Sequence, residues 1–250
     1  MAGRMVVGAL AGLVRPASQT APAGADHLPV APELTGLLPG RGLRRGSTVA
    51  VAAGRPAPGG GTSLVLALLA EASRSGSWCA VVGVPTFGAV AAAEVGIRLD
   101  RLALVPHPGP EWATVVAALI DGVDVVVVAV PGTVSGSVAS RLAARARQRG
   151  CVLLPYGAWD GADVTLRVLR GVWEGLGQGR GRLRRREVTI SARGRGAAGR
   201  PREVTVWMPG DPPTRPTTVP AARPTVAPAR AGAPTPAGRR RARLTLVEPA

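Results

Sequence analysis

Thr48–Ser75 reads TVAVAAGRPAPGGGTSLVLALLAEASRS. Its first six residues are an apolar strand candidate, Thr48–Ala53, and the stretch from Thr62 to Ser75 is a helix candidate. Between them lies Gly54–Ser63, GRPAPGGGTS, where an α/β nucleotide domain carries its phosphate loop. Glycine amides at a helix start, followed by hydroxyls, suit an anion cradle. The candidate cofactor-binding residues are therefore Gly54, Gly59, Gly60, Gly61, Thr62 and Ser63. Gly61 stands where a lysine would reach the phosphates, and the chain contains no lysine. The spacing from Gly54 to Gly60 is one residue longer than the standard pattern. A Gly/Pro turn joining strand to helix is the plain alternative.

Outward from this unit the same rhythm repeats. Strand candidates fall at Trp78–Val84, Arg101–Val105, Val123–Val130 and Cys151–Leu154. Helix candidates fall at Phe87–Val95, Pro110–Ile120 and Val134–Arg149. Near-continuous apolar strands alternating with helices predict a mostly parallel sheet covered on both faces. After Leu154 the rhythm changes. Asp163–Leu169, Glu187–Ala192 and Glu203–Met208 are short strand candidates joined by Gly- and Arg-rich hairpin loops, an antiparallel extension of the sheet. Residues 1–33 read as a short apolar helix and a Pro/Ala/Gly linker, 34–210 as the α/β domain, and 211–250 as a disordered tail that cannot offset its ordering entropy.

Composition limits the chemistry. The 250 residues carry a formal charge of +16, and all 31 basic residues are arginine. That balance favours polyanionic partners, nucleic acid first. With one Phe and one Tyr beside five Trp, the core rests on Val, Leu and Ala. Cys79 and Cys151 sit in apolar strands and form no framework or C-x-x-C pair. His27 and His107 are isolated, so no metal constellation is expected. Met1–Val14 is too short an apolar run to span a bilayer, and a cytoplasmic protein is expected, with no membrane partner.

Magnesium chemistry also needs an acid at the end of the strongest strand. In VDVVVVAV, Val123–Val130, that end holds Ala129 and Val130, while Asp124 lies at the entering end, placed to cap a turn. Lysine and terminal acid are both missing, so phosphoryl transfer lacks its electrostatic means. No catalytic residue and no cofactor are expected. Binding of ATP without hydrolysis is the alternative.

The run LLPGRGLRRGSTVAVAAGRPAPGGGTSLVLALLAEASRSGSWCAVVGV, with AAAEVGIRLDRLALVPHPGPEWATVVAALIDGVDVVVVAVPG after it, resembles the core of RecA-type recombinases. The likeness covers residues 34–155 and extends more weakly to 210. It implies a RecA-like P-loop NTPase core with mostly parallel sheet, flanking helices and an antiparallel C-terminal extension. The family's lysine position falls on Gly61, its hydroxyl on Thr62, its magnesium aspartate on Ala129 and its catalytic glutamate near Pro85. The chain is thus similar to the degenerate, actinobacterial ImuA-type accessory proteins of SOS mutagenesis. That resemblance implies a non-catalytic adaptor in translesion synthesis, nucleoid-associated when engaged. Its implied partners are a Y-family polymerase homologue and an error-prone replicative-type polymerase, contacted through the C-terminal part.

Two basic surfaces accompany this reading. Arg141, Arg145 and Arg149 recur at four-residue spacing on one helix face. Arg180, Arg182, Arg184, Arg185, Arg186, Arg193 and Arg195 form the denser group, placed to contact nucleic acid or an acidic partner, with a solvated hairpin as the bland alternative. Two other functions stay open: a nucleotide-binding switch or weak ATPase completed by a partner, and a direct DNA-binding repair or regulatory protein.

Overall fold

Four-residue apolar runs supply the central strands, buried on both faces except in the edge strand Leu102–Val105, where Leu104 is exposed. They are β3 (Val49–Ala52), β4 (Cys79–Val82), β5 (Leu102–Val105), β6 (Val125–Val128) and β7 (Val152–Pro155). The computed structural model describes residues 26–52, 59–129, 132–177 and 180–208, and within these it gives the backbone alone at 176, 177, 180–184 and 197. The chain divides into two units, Met1–Pro213 and Thr214–Ala250, and the second lies outside the described residues. So do the helix expected over residues 1–14 and the tail expected from 211.

Between the strands run α1 (Gly61–Arg74), α2 (Ala89–Glu94), α3 (Trp112–Gly122) and α4 (Gly136–Arg149). Ser135 caps α4 by accepting a bond from the Val138 amide, and Gly150 ends it in the left-handed conformation, at φ 68°. Strand order in one sheet is β5-β4-β6-β7, all parallel. In the other, β3 pairs in parallel with β8 (Val164–Gly177), and β9 (Arg180–Gly194) and β10 (Arg202–Met208) follow antiparallel. The two sheets meet along β7 and β3, where Thr48 bridges Leu153 and Val51 bridges Tyr156. The result is a mixed α/β fold with parallel and antiparallel sheet flanked by helices.

Two apolar clusters hold it. One joins Leu64, Leu68 and Leu69 of α1 to Val49, Val81, Val127 and Leu166 of the strands. The other joins Val116 and Ile120 of α3 and Leu142 and Ala146 of α4 to Ala80, Val126 and Leu153. Each fully buried Leu or Ile contributes about 1.5–3 kcal/mol relative to exposure, so α1 is fixed chiefly by its burial.

Two expectations change. Residues 26–33, read as linker, join the domain: β1 (His27–Leu28) pairs with β2 (Leu43–Arg44), and Leu28 and Val30 are buried in the α1 cluster. The Gly- and Arg-rich hairpin loop is itself strand. β8 runs to Gly177 and β9 begins at Arg180, so the short strands Asp163–Leu169 and Glu187–Ala192 are the inner halves of much longer ones. Val172–Gly175 are exposed on both strand parities, and main-chain bonding needs no apolar alternation there, so periodicity could not reveal how far β8 runs.

Candidate functional site

The chain leaves β3 toward β4 on one side and later returns with β8 on the other. Such a switch point opens a crevice at the carboxyl ends of the strands, where open α/β sheets bind ligands. The glycine turn stands at this place. Gly54 lies outside the described residues. Gly59 and Gly60 take φ values of 72° and 93°, a conformation glycine adopts without a Cβ penalty. Gly60 is the N-cap of α1, and its carbonyl accepts the first helical bond from the Leu64 amide at 2.9 Å.

The crevice is filled from within. Tyr156, at the end of β7, lies over Gly61 so closely that a Cβ there would stand 2.8 Å from Tyr156 Cε2. Its hydroxyl is 3.1 Å from Thr62 Oγ1. From the other flank, Arg186 of β9 reaches inward. It is 8% exposed, and its Nη1 would be 3.0 Å from a Cβ on Gly60. Gly171 on β8 makes the room, since a Cβ there would overlap the same guanidinium. The Arg186 guanidinium also lies 5.5 Å from the Trp173 ring centroid, within cation–π range. Gly61 therefore does more than lack the lysine's charge: its position is covered.

The positions that the RecA resemblance assigns to acids hold Ala129 and Pro85. The Ala129 amide donates to the Val82 carbonyl at 2.9 Å. Gly83, at φ 74°, sits so near the Ala129 carbonyl that a Cβ would collide with it. Pro85 is exposed in the turn whose Val84 carbonyl accepts from Phe87 at 3.1 Å. Beside them a shallow cleft is walled by Val128, Val134, Tyr156 and Trp159 and carries no carboxylate. Among the described residues no cluster of His, Cys, Asp or Glu could hold a metal ion. Among the described residues the arrangement offers a helix start, two hydroxyls and one guanidinium, a set that can attract an anion.

At the opposite ends of the strands Asp124 is 6% exposed and holds three segments together. It accepts from Arg45 Nη1 at 2.9 Å and from the Trp78 amide at 2.9 Å, and its main chain bonds Trp78 and Val152. The turn-capping role expected of Asp124 is thus accompanied by an ion pair to Arg45. Burial, with the nearby Asp124 carboxylate adding to it, pushes the Cys79 thiol up to about 12. The same two causes raise Cys151. Both thiols are free and buried.

The structure divides the arginines. Arg145 and Arg149 of α4 both bind Asp121 of α3, Arg149 at 3.0 Å. The Arg145 hydrogen bond holds the Asp121 carboxyl below its usual range. The stripe expected to face a polyanion is thus partly a helix-to-helix clamp, while Arg141 is exposed. On β9, Arg186 turns to the cradle, whereas Arg185 pairs with Glu174 and stacks 4.5 Å from the Trp207 centroid. Arg193 is exposed opposite Thr165, and Arg195 precedes a short 3-10 turn, its main-chain carbonyl accepting from the Ala198 amide. Arg180, Arg182 and Arg184 lie on the outer half of β9.

Sequence reasoning missed Tyr156, Gly171 and the inward turn of Arg186. The one signal for Tyr156 was that the sole tyrosine follows a buried strand at its carboxyl end. Fold and site together define a mixed α/β domain in which Tyr156 and Arg186 pack against the glycines that open α1. The family model for the MT3502 N-terminal domain matches residues 36–161, half of the chain, and the chain belongs to that family. Among curated proteins it is similar to the uncharacterized protein Rv3395c of Mycobacterium tuberculosis (strain ATCC 25618 / H37Rv), 43% identical over 109 residues. The match covers 43% of this chain and 53% of that protein, so the chain spans about half the length of the curated relative it matches.

Proposed function

We propose that the chain is a non-catalytic, RecA-like accessory protein of DNA-damage-induced mutagenesis, an adaptor in translesion synthesis. The resemblance of residues 34–155 to RecA-type cores supports the ancestry. The glycine turn between β3 and α1, standing at the switch point of the sheet, agrees with it. The observation that carries the non-catalytic part is Tyr156 lying over Gly61, with Ala129 and Pro85 at the acid positions. Losing the charges that stabilise a transferring phosphoryl group removes the means of turnover. No cofactor is required in this reading. Its partners are a Y-family polymerase homologue and an error-prone replicative-type polymerase, and its place is the cytoplasm, at the nucleoid during repair. Co-purification of the Y-family homologue with the full chain, and its loss from a chain ending at Pro209, is the expected result. Equal recovery by both chains would move the partner contact into the α/β domain, and recovery by neither would remove the adaptor reading.

A second reading has one observation in its favour. The Arg186 guanidinium beside Gly60 supplies a cation at the helix start, so a nucleotide held without hydrolysis would find a charge there. Titration with labelled ATP, alone and with the polymerase homologues, separates the two. Saturable binding lost in Arg186→Gln supports the switch, and no binding in either case removes it.

A further inference from the structure

We propose that the outer part of the β8–β9 hairpin is a duplex nucleic-acid contact that enters the major groove as a two-stranded ribbon. β3 pairs only with Val164–Arg167 of β8, and β10 only with Arg186–Ala192 of β9. Beyond those limits β8 and β9 pair, among the described residues, only with each other, Glu174 with Arg185 and Gly177 with Arg180. Six residues of β9, Arg180–Arg185, therefore extend past the end of β10. At about 3.3 Å per residue they reach roughly 20 Å from it.

The dimensions suit one partner. Paired strands lie about 4.8 Å apart, and a B-form major groove about 12 Å wide admits a two-stranded ribbon. The charge suits it too. Arg180, Arg182, Arg184 and Arg185 stand on the extension, with Glu174 as the acid across from them. Positions 180, 182 and 184 share one strand parity, and Arg185 stands on the other, so the extension carries arginine on both parities. Glycines at 175, 177 and 181 bring the backbone close to whatever it meets.

The tryptophans at its base argue against a single-strand platform. Trp173 and Trp207 are 49% and 40% exposed, but Arg186 lies over the first and Arg185 over the second. A base would have to displace a guanidinium from the covered face of either ring to stack there. The extension also lies beyond residues 36–161, which the family model matches. Turnover of ATP and binding of duplex are read in separate assays, so this proposal and the non-catalytic reading fail independently.

The test is fluorescence anisotropy of a labelled duplex, and of one of its strands, with the full chain over a salt series. The duplex is expected to bind more tightly than the strand. The triple variant Arg180→Ser, Arg182→Ser, Arg184→Ser should reduce the slope of log K against log salt by about 0.9 for each phosphate no longer neutralised, and so by up to about 3. Its unfolding midpoint should match that of the unaltered chain. A major-groove dye such as methyl green should displace the unaltered chain, and the minor-groove ligand netropsin should not. Tighter binding to the single strand, displacement by netropsin, an unchanged salt slope in the variant, or no duplex binding each overturns the proposal. The competition arm uses the unaltered chain, so a variant that misfolds leaves the test intact.

Discussion

Substituting Gly61 with alanine probes the closed cradle at its tightest point. The new Cβ would stand 2.8 Å from Tyr156 Cε2 and 3.0 Å from the Tyr156 hydroxyl oxygen. Both are inside normal contact distance, so the ring must move. Overpacking of this kind costs about 1–3 kcal/mol. Moving the ring also breaks the 3.1 Å hydrogen bond between the Tyr156 hydroxyl and Thr62, a further cost of about 0.5–1.5 kcal/mol. Against this, alanine is favoured over glycine in a helix by at most about 1 kcal/mol, and less in a first turn. The net expectation is destabilisation by about 1–3 kcal/mol. For a domain of this size each kcal/mol lowers the melting midpoint by roughly 2–4 °C. Urea and thermal unfolding followed by circular dichroism measure both quantities. In a Tyr156→Ala background the obstruction is gone, and Gly61→Ala should be neutral or stabilising, with a coupling energy of about 1 kcal/mol or more between the sites. A Gly61→Ala chain more stable than the parent would refute the packing of Tyr156 over Gly61, and so the physical basis for calling the cradle closed.

Three further outcomes follow from other parts of the molecule. Asp124→Ala leaves Arg45 and the Trp78 amide without their 2.9 Å acceptor, and should cost about 3 kcal/mol in urea unfolding; a cost under about 0.5 kcal/mol would contradict the clamp. Cys79 and Cys151 should resist a thiol reagent at neutral pH until urea unfolds the chain. Cys79 has a raised folded value of about 12, so its contribution to stability is present below its ordinary value near 9 and is lost as pH rises toward 12; a pH-independent midpoint across that window would contradict its burial. Asp121, held low by Arg145, works with the opposite sign: its contribution is present above the ordinary carboxylate value and is lost as pH falls through the lowered one. Arg145→Ala should therefore flatten the acid limb of the stability profile while changing neutral stability little, since solvent screens the exposed pair.

Much of the fold was legible because its strands are buried on both faces. VDVVVVAV and WCAVVGV admit few other readings, and each central strand falls within about two residues of its expected bounds. The glycine turn was equally plain, since glycine adopts the positive φ found at Gly59 and Gly60 without a Cβ penalty. Three features were hidden for physical reasons. Val172, Trp173, Glu174 and Gly175 of β8 are exposed on both strand parities, so no period of two marks that stretch. The 26–33 segment hides two buried anchors, Leu28 and Val30, among prolines that suggest a linker. The site itself depends on meetings between positions far apart in sequence. Tyr156 meets Thr62 across 94 residues, and Arg186 meets Gly60 from the far side of β8, so no local pattern could place them together. A run of arginines signals charge, but it does not show that one of them turns inward.

The claim on which the rest depends is that the phosphate-loop turn persists without its chemistry. Steady-state ATP hydrolysis by the purified full chain with magnesium, compared with the Thr62→Ala variant, tests it most directly. The expected result is a rate equal to the protein-free blank for both chains, with and without duplex DNA. A rate well above the blank in the unaltered chain, abolished by Thr62→Ala, would contradict it.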